Sequence, residues 1–520
     1  MNLRLRIGFG VVAAVTLGLC LINIGSVPLL DPDESRFART SVEMLRNQDP
    51  VVPSFEGRPR LVKPPLMHWV QSFFFATFGV DEWVARLHAV LATLTSIGLV
   101  GLIAGRRFGP EGALWSAVFM ISMPLVVVLG HLGTLDALLA MHVLAIVALD
   151  LNAEHRPGST TAIAIGALLG LAFLVKGPVG VILPLLVQLA GRTAARREIL
   201  PSVRRVMQAA TAWCVVVLPW GLAFLNQIGP GEINKLLGHE TLQRFASGTD
   251  HVHPWWYYAP VVAVGLLPWA APLVVAVVRA LIPGDRPRSN TAAYAAAGLL
   301  AGLVFFSLGK GKLPSYIVPL APLAAWLLAW QVGEDLRGTR RGWAGGLTVL
   351  TLALAGPLLL AAGGEVEDAQ IRRIAAWSAV LFGGGAVAAA TGWLRRSPRL
   401  TYGAAAATSA GFLFILLGAL GPHLSMTRTS AHLVEAVPAL EGSRSVVRVG
   451  MKLPSLTFYL DRIPEEVDLV DVDRRLDRGD DPLLVFDLDD LANLPRPSRD
   501  RLREVGRQGK YAVLEIGGRE

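Results

Sequence analysis

Charge is scarce in this sequence. Asp, Glu, Lys and Arg together make up 17% of its 520 residues, where a soluble globular chain carries about 25%. Cysteine is scarcer still. The two that occur, Cys20 and Cys214, both lie inside apolar runs, which excludes a disulfide-stapled fold and a cysteine metal cluster. The glycine patterns that cradle nucleotide phosphates, GxGxxG and GxxxxGK[ST], are also missing, so nothing points to a nucleotide donor. What fills the space is hydrocarbon: 53% of the residues are hydrophobic, and mean hydropathy is +0.49. Residues 425–520 hold 33 of the 88 charged side chains. The chain therefore reads as a large apolar body with a polar C-terminal appendage.

A bilayer core of about 30 Å needs roughly 20 apolar residues in helix. Thirteen runs qualify, at about 7–30, 84–104, 112–131, 135–152, 159–175, 177–191, 206–226, 257–280, 292–308, 313–332, 342–363, 373–394 and 401–421. The fold class expected is an α-helical polytopic membrane protein with a small C-terminal α/β domain, divided into a membrane domain 1–424 and a soluble domain 425–520. The first run follows Arg4 and Arg6 and lacks a small-x-small cleavage site before Asp31, so it reads as a retained anchor. With the N-terminus inside, the inner loops hold Arg106-Arg107, Arg156 and the segments Arg192–Arg205, Arg279–Arg288, Arg337–Arg341 and Arg395–Arg399. Each is basic, as the positive-inside rule requires. An odd number of spans places residues 425–520 on the periplasmic or extracellular side of a bacterial inner membrane. The pI near 9.8 is then a matter of topology, and nucleic acid is not an expected partner because the arginines form no aromatic-interleaved stripe.

One outer loop, 31–83, breaks the charge bias with Arg36, Arg39, Arg46, Arg58, Arg60 and Lys63, which suggests an anionic ligand at the outer surface. In the C-terminal segment, short runs at Val446–Val449, Val467–Val470, Leu483–Phe486 and Tyr511–Ile516 read as strands between short helices. The acidic Asp487-Leu488-Asp489-Asp490 could mimic a metal site but fits a solvated helix start better.

The chemistry-bearing residues are few. Asp31-Pro32-Asp33-Glu34-Ser35-Arg36 sets paired carboxylates beside an arginine at the mouth of the first span; such a group could deprotonate an acceptor while steadying a phosphate, or simply begin a helix. Lys63 precedes two prolines, which hold it on stiff non-helical backbone, and the aromatic stretch from His68-Trp69 to Phe73-Phe74-Phe75 suits an interfacial helix. Asp136 opens the fourth span as a cap or a site residue, and Lys176 lies between two spans as a ligand or a snorkelling lysine. Gln243-Arg244-Phe245, His251-Val252-His253-Pro254-Trp255-Trp256-Tyr257-Tyr258 and Lys310-Gly311-Lys312-Leu313-Pro314-Ser315-Tyr316 complete the set. The aromatic run alone would be a membrane-interface belt, and its histidines could be loop residues or metal ligands. All these groups fall on the outer face in the topology above, where chance would scatter them over both sides.

Taken in order, the motifs resemble the membrane glycosyltransferases of the GT-C class, specifically the lipid A aminoarabinose transferase and protein O-mannosyltransferase relatives. The residues that carry the resemblance are Asp33-Glu34-x-Arg36, Lys63-Pro64-Pro65-Leu66, Thr134-Leu135-Asp136, Lys176-Gly177-Pro178, Pro254-Trp255-Trp256-Tyr257-Tyr258, Lys312-Leu313-Pro314-x-Tyr316 and Pro454-Ser455-Leu456-x-Phe458-Tyr459-Leu460. The resemblance implies a sugar donor linked through phosphate to a polyprenol, an outer-facing lipid or glycan acceptor, and an active site under the first outer loop. It makes Asp33 the catalytic carboxylate supported by Glu34 and Asp136. Arg36, Lys63, Arg244 and Tyr316 would hold the lipid phosphate, with Lys176, Lys310 and Lys312 as further cations of the donor site. The sequence departs at Val62, where aminoarabinose transferases carry a glutamate associated with a metal contact; the departure bears on both the metal and the aminoarabinose substrate. A divalent metal stays open, with His239, His251 and His253 as candidate ligands, and no other cofactor is expected.

Two alternatives stand beside an envelope glycosyltransferase. Transfer to protein Ser/Thr, as in O-mannosylation, keeps the same donor chemistry. A lipid-linked sugar transporter would need charged residues deep within spans and an internal repeat, and neither is present in the sequence.

Overall fold

The computed structural model describes residues 3–153, 158–229, 251–282, 289–338, 342–442, 444–478 and 480–517. Its helices up to residue 415, in chain order, are α1 Leu3–Leu21, α2 Asp33–Asn47, α3 Leu66–Phe78, α4 Glu82–Ile121, α5 Pro124–His131, α6 Asp136–Asn152, α7 Ser159–Lys176, α8 Pro178–Ala194, α9 Val203–Ile228, α10 Tyr258–Gly265, α11 Ala270–Leu281, α12 Asn290–Leu308, α13 Ala321–Arg337, α14 Trp343–Gly364, α15 Ala369–Leu394 and α16 Pro398–Ile415; shorter helices follow. The protein is a multi-pass membrane protein. Among the described residues nine helices are long and apolar enough to cross a bilayer, and a tenth crossing results if α10 and the segment before it form one span with α11 across a 112° bend.

The thirteen expected runs differ from this number for local reasons. The runs 84–104 and 112–131 share α4, yet α4 is not one rod. Gly109 has φ 79° and ψ −179°, a conformation essentially confined to glycine, and Pro110 follows it. A Cβ on Gly101 would stand 3.5 Å from the Ala113 carbonyl oxygen, although twelve residues of straight helix would separate them by about 18 Å. The chain folds back on itself there. The run 177–191 lies on α8, which is 17 residues long, and 135–152 lies on α6, also 17 residues and carrying Asp136 and Asp150.

The chain falls into two compact units. The first comprises residues 1–22, 61–70 and 86–419, the second 23–60, 71–85 and 420–520. In the first, helices meet through small residues, as expected where lipid supplies no hydrophobic drive and close backbone approach must do the work. Gly166 of α7 leaves space that a Cβ would take only 2.1 Å from the Ala209 carbonyl of α9, and Gly180 of α8 would meet the Ala172 carbonyl of α7 at 2.0 Å.

The second unit contains a five-stranded sheet, with β1 Val446–Val449, β2 Glu465–Val467, β3 Leu483–Asp487, β4 Leu502–Gln508 and β5 Tyr511–Ile516 in the order β2-β1-β3-β5-β4. β1 runs parallel to β2 and β3, whereas β5 pairs antiparallel with both β3 and β4. Val446, Leu483, Val485 and Val513 pack on one face, and Val447, Leu484, Phe486 and Leu514 on the other. Both faces are covered, which is why these strands are continuous apolar runs. β4, LREVGRQ, has no such run and escaped the sequence reading. The strand expected at Val467–Val470 ends at Val467. Asp487 caps the short helix Leu488–Asn493, accepting from the Asp489 amide. The acidic run is therefore a helix start.

The expected division at 424/425 placed the first outer loop with the membrane domain. The structure groups residues 23–60 with 420–520 instead, because they share buried polar bonds. Asp31 accepts from the Ser455 amide at 2.8 Å and from its hydroxyl. The Leu29 amide donates to the Tyr459 hydroxyl at 2.7 Å, and Arg448 forks onto Glu56 at 2.7 and 3.0 Å.

Candidate active site

In the first unit, Asp136 is the first residue of α6 and Lys176 the last of α7. A short connection joins the other ends of these helices, so the two side chains stand at the same end of an antiparallel pair. Lys176 Nζ donates to Asp136 Oδ1 at 2.5 Å, with side chains 8% and 11% exposed. The ammonium also lies 4.5 Å from the ring centroid of Tyr316, a cation–π arrangement. Tyr316 belongs to the 3₁₀ segment Pro314–Leu320. Beside Asp136, the Thr134 hydroxyl oxygen is buried and has no hydrogen-bond partner among the described residues.

Lys312 is placed by a second feature of the same unit. Residues 251–253 pair with 310–312 through an antiparallel bridge between Val252 and Gly311. The Lys312 amide donates to the His251 carbonyl at 3.0 Å. Its ammonium is buried, donating to the His253 carbonyl at 2.9 Å and to the Gly309 carbonyl. No described carboxylate forms an ion pair with it, and burial pushes this ammonium below the usual lysine range. Tyr258, which sequence reasoning named only within a motif, hydrogen-bonds the Leu313 carbonyl at 3.2 Å and so ties the two segments. Lys310 is exposed; Lys63 is half-buried on the turn before α3, between the buried Pro64-Pro65 and Val62.

In the second unit, Asp33 and Glu34 form the first turn of α2. Glu34 is buried and accepts the Leu30 amide at 2.9 Å, which ties the first turn of α2 to the loop before it. Asp33 is 55% exposed, its closest cation being Arg36 at 3.9 Å. Asp31, passed over in favour of Asp33, is the more enclosed carboxylate: burial raises its pKa, against donated bonds from Ser35 and Ser455. The loop arginines, expected to serve an anionic ligand, are largely committed internally. Arg39 binds Glu43 and Asp461, each at 2.9 Å, and Arg46 binds Asp461 at 2.5 Å. Arg60 lies over the Phe37 ring at 5.0 Å. Asp461, 422 positions from Arg39, is the partner that no local motif announces.

Arg244 and His239 lie outside the described residues. His251 is exposed and the His253 ring stacks on Tyr257 at 4.2 Å. Among the described residues, no three His, Cys, Asp or Glu side chains gather to hold a metal, and valine stands at position 62. These residues do not fit a metal site, and no step is assigned to one.

The family model described as dolichyl-phosphate-mannose-protein mannosyltransferase matches residues 62–224. An undecaprenyl phosphate-alpha-4-amino-4-deoxy-L-arabinose arabinosyl transferase from Pseudomonas aeruginosa (strain LESB58) is 34% identical over 313 residues, covering 58% of this chain. The chain spans 56% of that protein's length. A Sodalis glossinidius protein of the same name is 30% identical over 388 residues, 72% of this chain and 68% of that one. The crystal structure of ArnT from Cupriavidus metallidurans bound to undecaprenyl phosphate superposes with a TM-score of 0.80 at 25% identity, covering 98% of this chain and 99% of that one. An Archaeoglobus fulgidus oligosaccharyltransferase shares the fold at a TM-score of 0.51 and 12% identity over 97% of this chain and 73% of that one. With relatives that match in sequence and in fold over this much of its length, the chain belongs to the GT-C membrane glycosyltransferase family of these arabinosyl transferases.

Proposed function

We propose that the protein is an inverting glycosyltransferase that moves a sugar from a polyprenyl-phosphate donor to an outer-facing lipid or glycan, from a bacterial inner membrane that it crosses thirteen times. The basic inner loops support an orientation with the donor site and residues 425–520 on the periplasmic side. The observation that carries the reading is the buried Lys176–Asp136 pair under Tyr316, at the same helix ends where family kinship expects lipid phosphate. Burying a lysine is costly unless something repays it. A donor phosphate would accept from Lys176, from Lys312 and from the Thr134 hydroxyl.

The chemistry follows from where charge grows. The bond from sugar C1 to phosphate oxygen breaks, its electron pair stays on the phosphate, and the acceptor oxygen bonds C1 from the opposite face. Polyprenyl phosphate leaves as a dianion, so ammonium and guanidinium groups already in place stabilise the transition state more than the ground state. A hydroxyl acceptor passes its proton to Asp33; an ionised phosphate acceptor needs no base. Arg36, Lys63, Arg244 and Lys310 are assigned to the donor by resemblance, and Glu34 to the support of Asp33 through the loop bond at Leu30 that it accepts.

Purified protein given a panel of polyprenyl-phosphate sugars and a hydroxyl acceptor tests the proposal: wild type should release polyprenyl phosphate, and equal release by Asp33→Asn would defeat it. The family model's description favours a second reading, transfer to protein Ser/Thr. Altered glycopeptides in a deletion strain, with envelope glycolipids unchanged, would select it.

A further inference from the structure

The first unit holds a cavity of about 1040 Å³ among α7, α8 and α9, at the upper end of the range for ligand sites. Its basic end is remote from Lys176 and Asp136. The lining residues of α7 begin at its N-terminal end and those of α8 reach Arg192 near its C-terminal end, whereas Lys176 closes α7. Eighteen residues of α7 place the two ends about 27 Å apart.

The wall is apolar in its interior, with Leu169, Leu185 and Trp213, and basic at its mouth, with Arg192, Arg197 and Arg205. The mouth is built. Asp150, fully buried, accepts from Arg192 Nε at 2.9 Å and from the Tyr294 hydroxyl at 2.7 Å, and its carbonyl accepts from Arg197 at 2.9 Å. Arg192 and Arg197 pair with Asp150; with Arg205 and Glu198 also on the wall, three cations stand against two carboxylates and the rim is net positive.

Three buried nitrogens on this wall make no hydrogen bond among the described residues: Gln188 Nε2, Trp213 Nε1 and Arg197 Nη1, the last standing 3.8 Å from Asp150 Oδ2 as an ion pair. Gln188 is 7% exposed. All three are donors, and a buried donor without an acceptor is expensive. The missing partner must therefore bring acceptors. It must also bring them at two depths, since Gln188 lies one turn farther into α8 than Arg192, and Trp213 two turns farther into α9 than Arg205. A glycerophospholipid has this layout: phosphate oxygens at the surface, ester carbonyls one level below, and acyl chains beneath. A polyprenyl phosphate carries acceptors only at its head.

We propose that this cavity is a binding site for an anionic glycerophospholipid of the leaflet opposite the donor site. Arg192, Arg197 and Arg205 take its phosphate, Gln188 and Trp213 its ester carbonyls, and the apolar wall its chains. The site is independent of the transfer reaction.

Delipidated full-length protein in detergent, titrated with phosphatidylglycerol, phosphatidylcholine or a polyprenyl phosphate and read by native mass spectrometry, tests this. Phosphatidylglycerol should be retained roughly tenfold better than phosphatidylcholine, and Gln188→Leu should reduce its retention by about the same factor, as for the loss of one bond to an acceptor of this kind. The thermal midpoint of Gln188→Leu without lipid should equal or exceed that of wild type, since the unpartnered amide is gone; a purely structural glutamine would instead leave a less stable protein. Ala210→Trp, a filling substitution at an exposed wall position, should abolish retention and decides the matter if Gln188→Leu does not fold. Equal retention of the two phospholipids, wild-type retention by the variants that fold, or preference for polyprenyl phosphate would each overturn the assignment.

Discussion

Lys176 and Asp136 form a 2.5 Å ion pair in which neither side chain is more than 11% exposed, joining the end of one membrane helix to the start of another. A pair this buried contributes little net stability, yet removing one partner strands the other and costs about 3–5 kcal/mol. Asp136→Asn should therefore lower the thermal midpoint in detergent, and adding Lys176→Met should recover most of it. Polyprenyl-phosphate release should stay lost in the double variant, because the phosphate has lost its cation. Recovery of activity along with stability would reduce the pair to a structural role.

Lys312 offers the complementary case, a buried ammonium whose described partners are two backbone carbonyls. A carbonyl supplies a dipole and no countercharge, so the full positive charge is available to a phosphate. Lys312→Gln should cut kcat/KM for donor at least tenfold, as expected for one hydrogen bond to a charged group. Lys310, two residues earlier, is exposed, so water screens its charge and the same change there should cost less than at Lys312. Steady-state kinetics on both variants checks the contrast, and equal losses would contradict it.

Asp33 separates catalysis from helix capping. At the first turn of α2 it favours the helix dipole, an effect of about 0.3–1 kcal/mol at an exposed site. Asp33→Asn should leave the thermal midpoint almost unchanged while lowering transfer to a hydroxyl acceptor by about 10²–10⁴, the usual contribution of a general base. A stability loss in proportion to the activity loss would make the residue a cap.

These residues show how far the sequence could be read. Apolar runs are legible because the bilayer demands them, and Asp136 and Lys176 stood out because charge is rare around them. Their pairing was not legible, since forty residues separate them. Nor was the fate of the loop arginines: Arg39 and Arg46 looked free for a ligand because their partner, Asp461, lies more than four hundred positions away. The strand 502–508 stayed hidden because it is an edge strand with charged residues on it, and such strands show no apolar pattern.

Gly109 has a sharper consequence than most glycines here. Its backbone, φ 79° and ψ −179°, turns α4 back on itself, and a side chain there is strained by about 1–3 kcal/mol. Gly109→Ala should lower the yield of folded protein, measured by size-exclusion chromatography after extraction, whereas Gly98→Ala, with open space around its Cβ and ordinary φ, should not.

Glu56 ties the loop to the sheet, and its titration gives the protein a pH signature. Burial alone would raise its pKa, but bonds from Arg448 and Thr457 outweigh burial and hold it below the usual glutamate value of 4.5. A depressed carboxyl stabilises the fold above its unfolded pKa and loses that contribution as pH falls through the folded value, so wild type should weaken only below about pH 4.5 from this group. In Arg448→Gln the guanidinium is gone while the burial remains, and the carboxyl should rise above 4.5. The folded state then binds the extra proton, and the sign reverses: just above pH 4.5 the variant should lose stability as pH rises, where wild type is flat. Thermal unfolding of the full-length protein across pH 4 to 7, compared with Arg448→Gln/Glu56→Gln to isolate the titrating group, reads this out. The slope should vanish in the double variant, and its persistence there would assign it to another carboxylate.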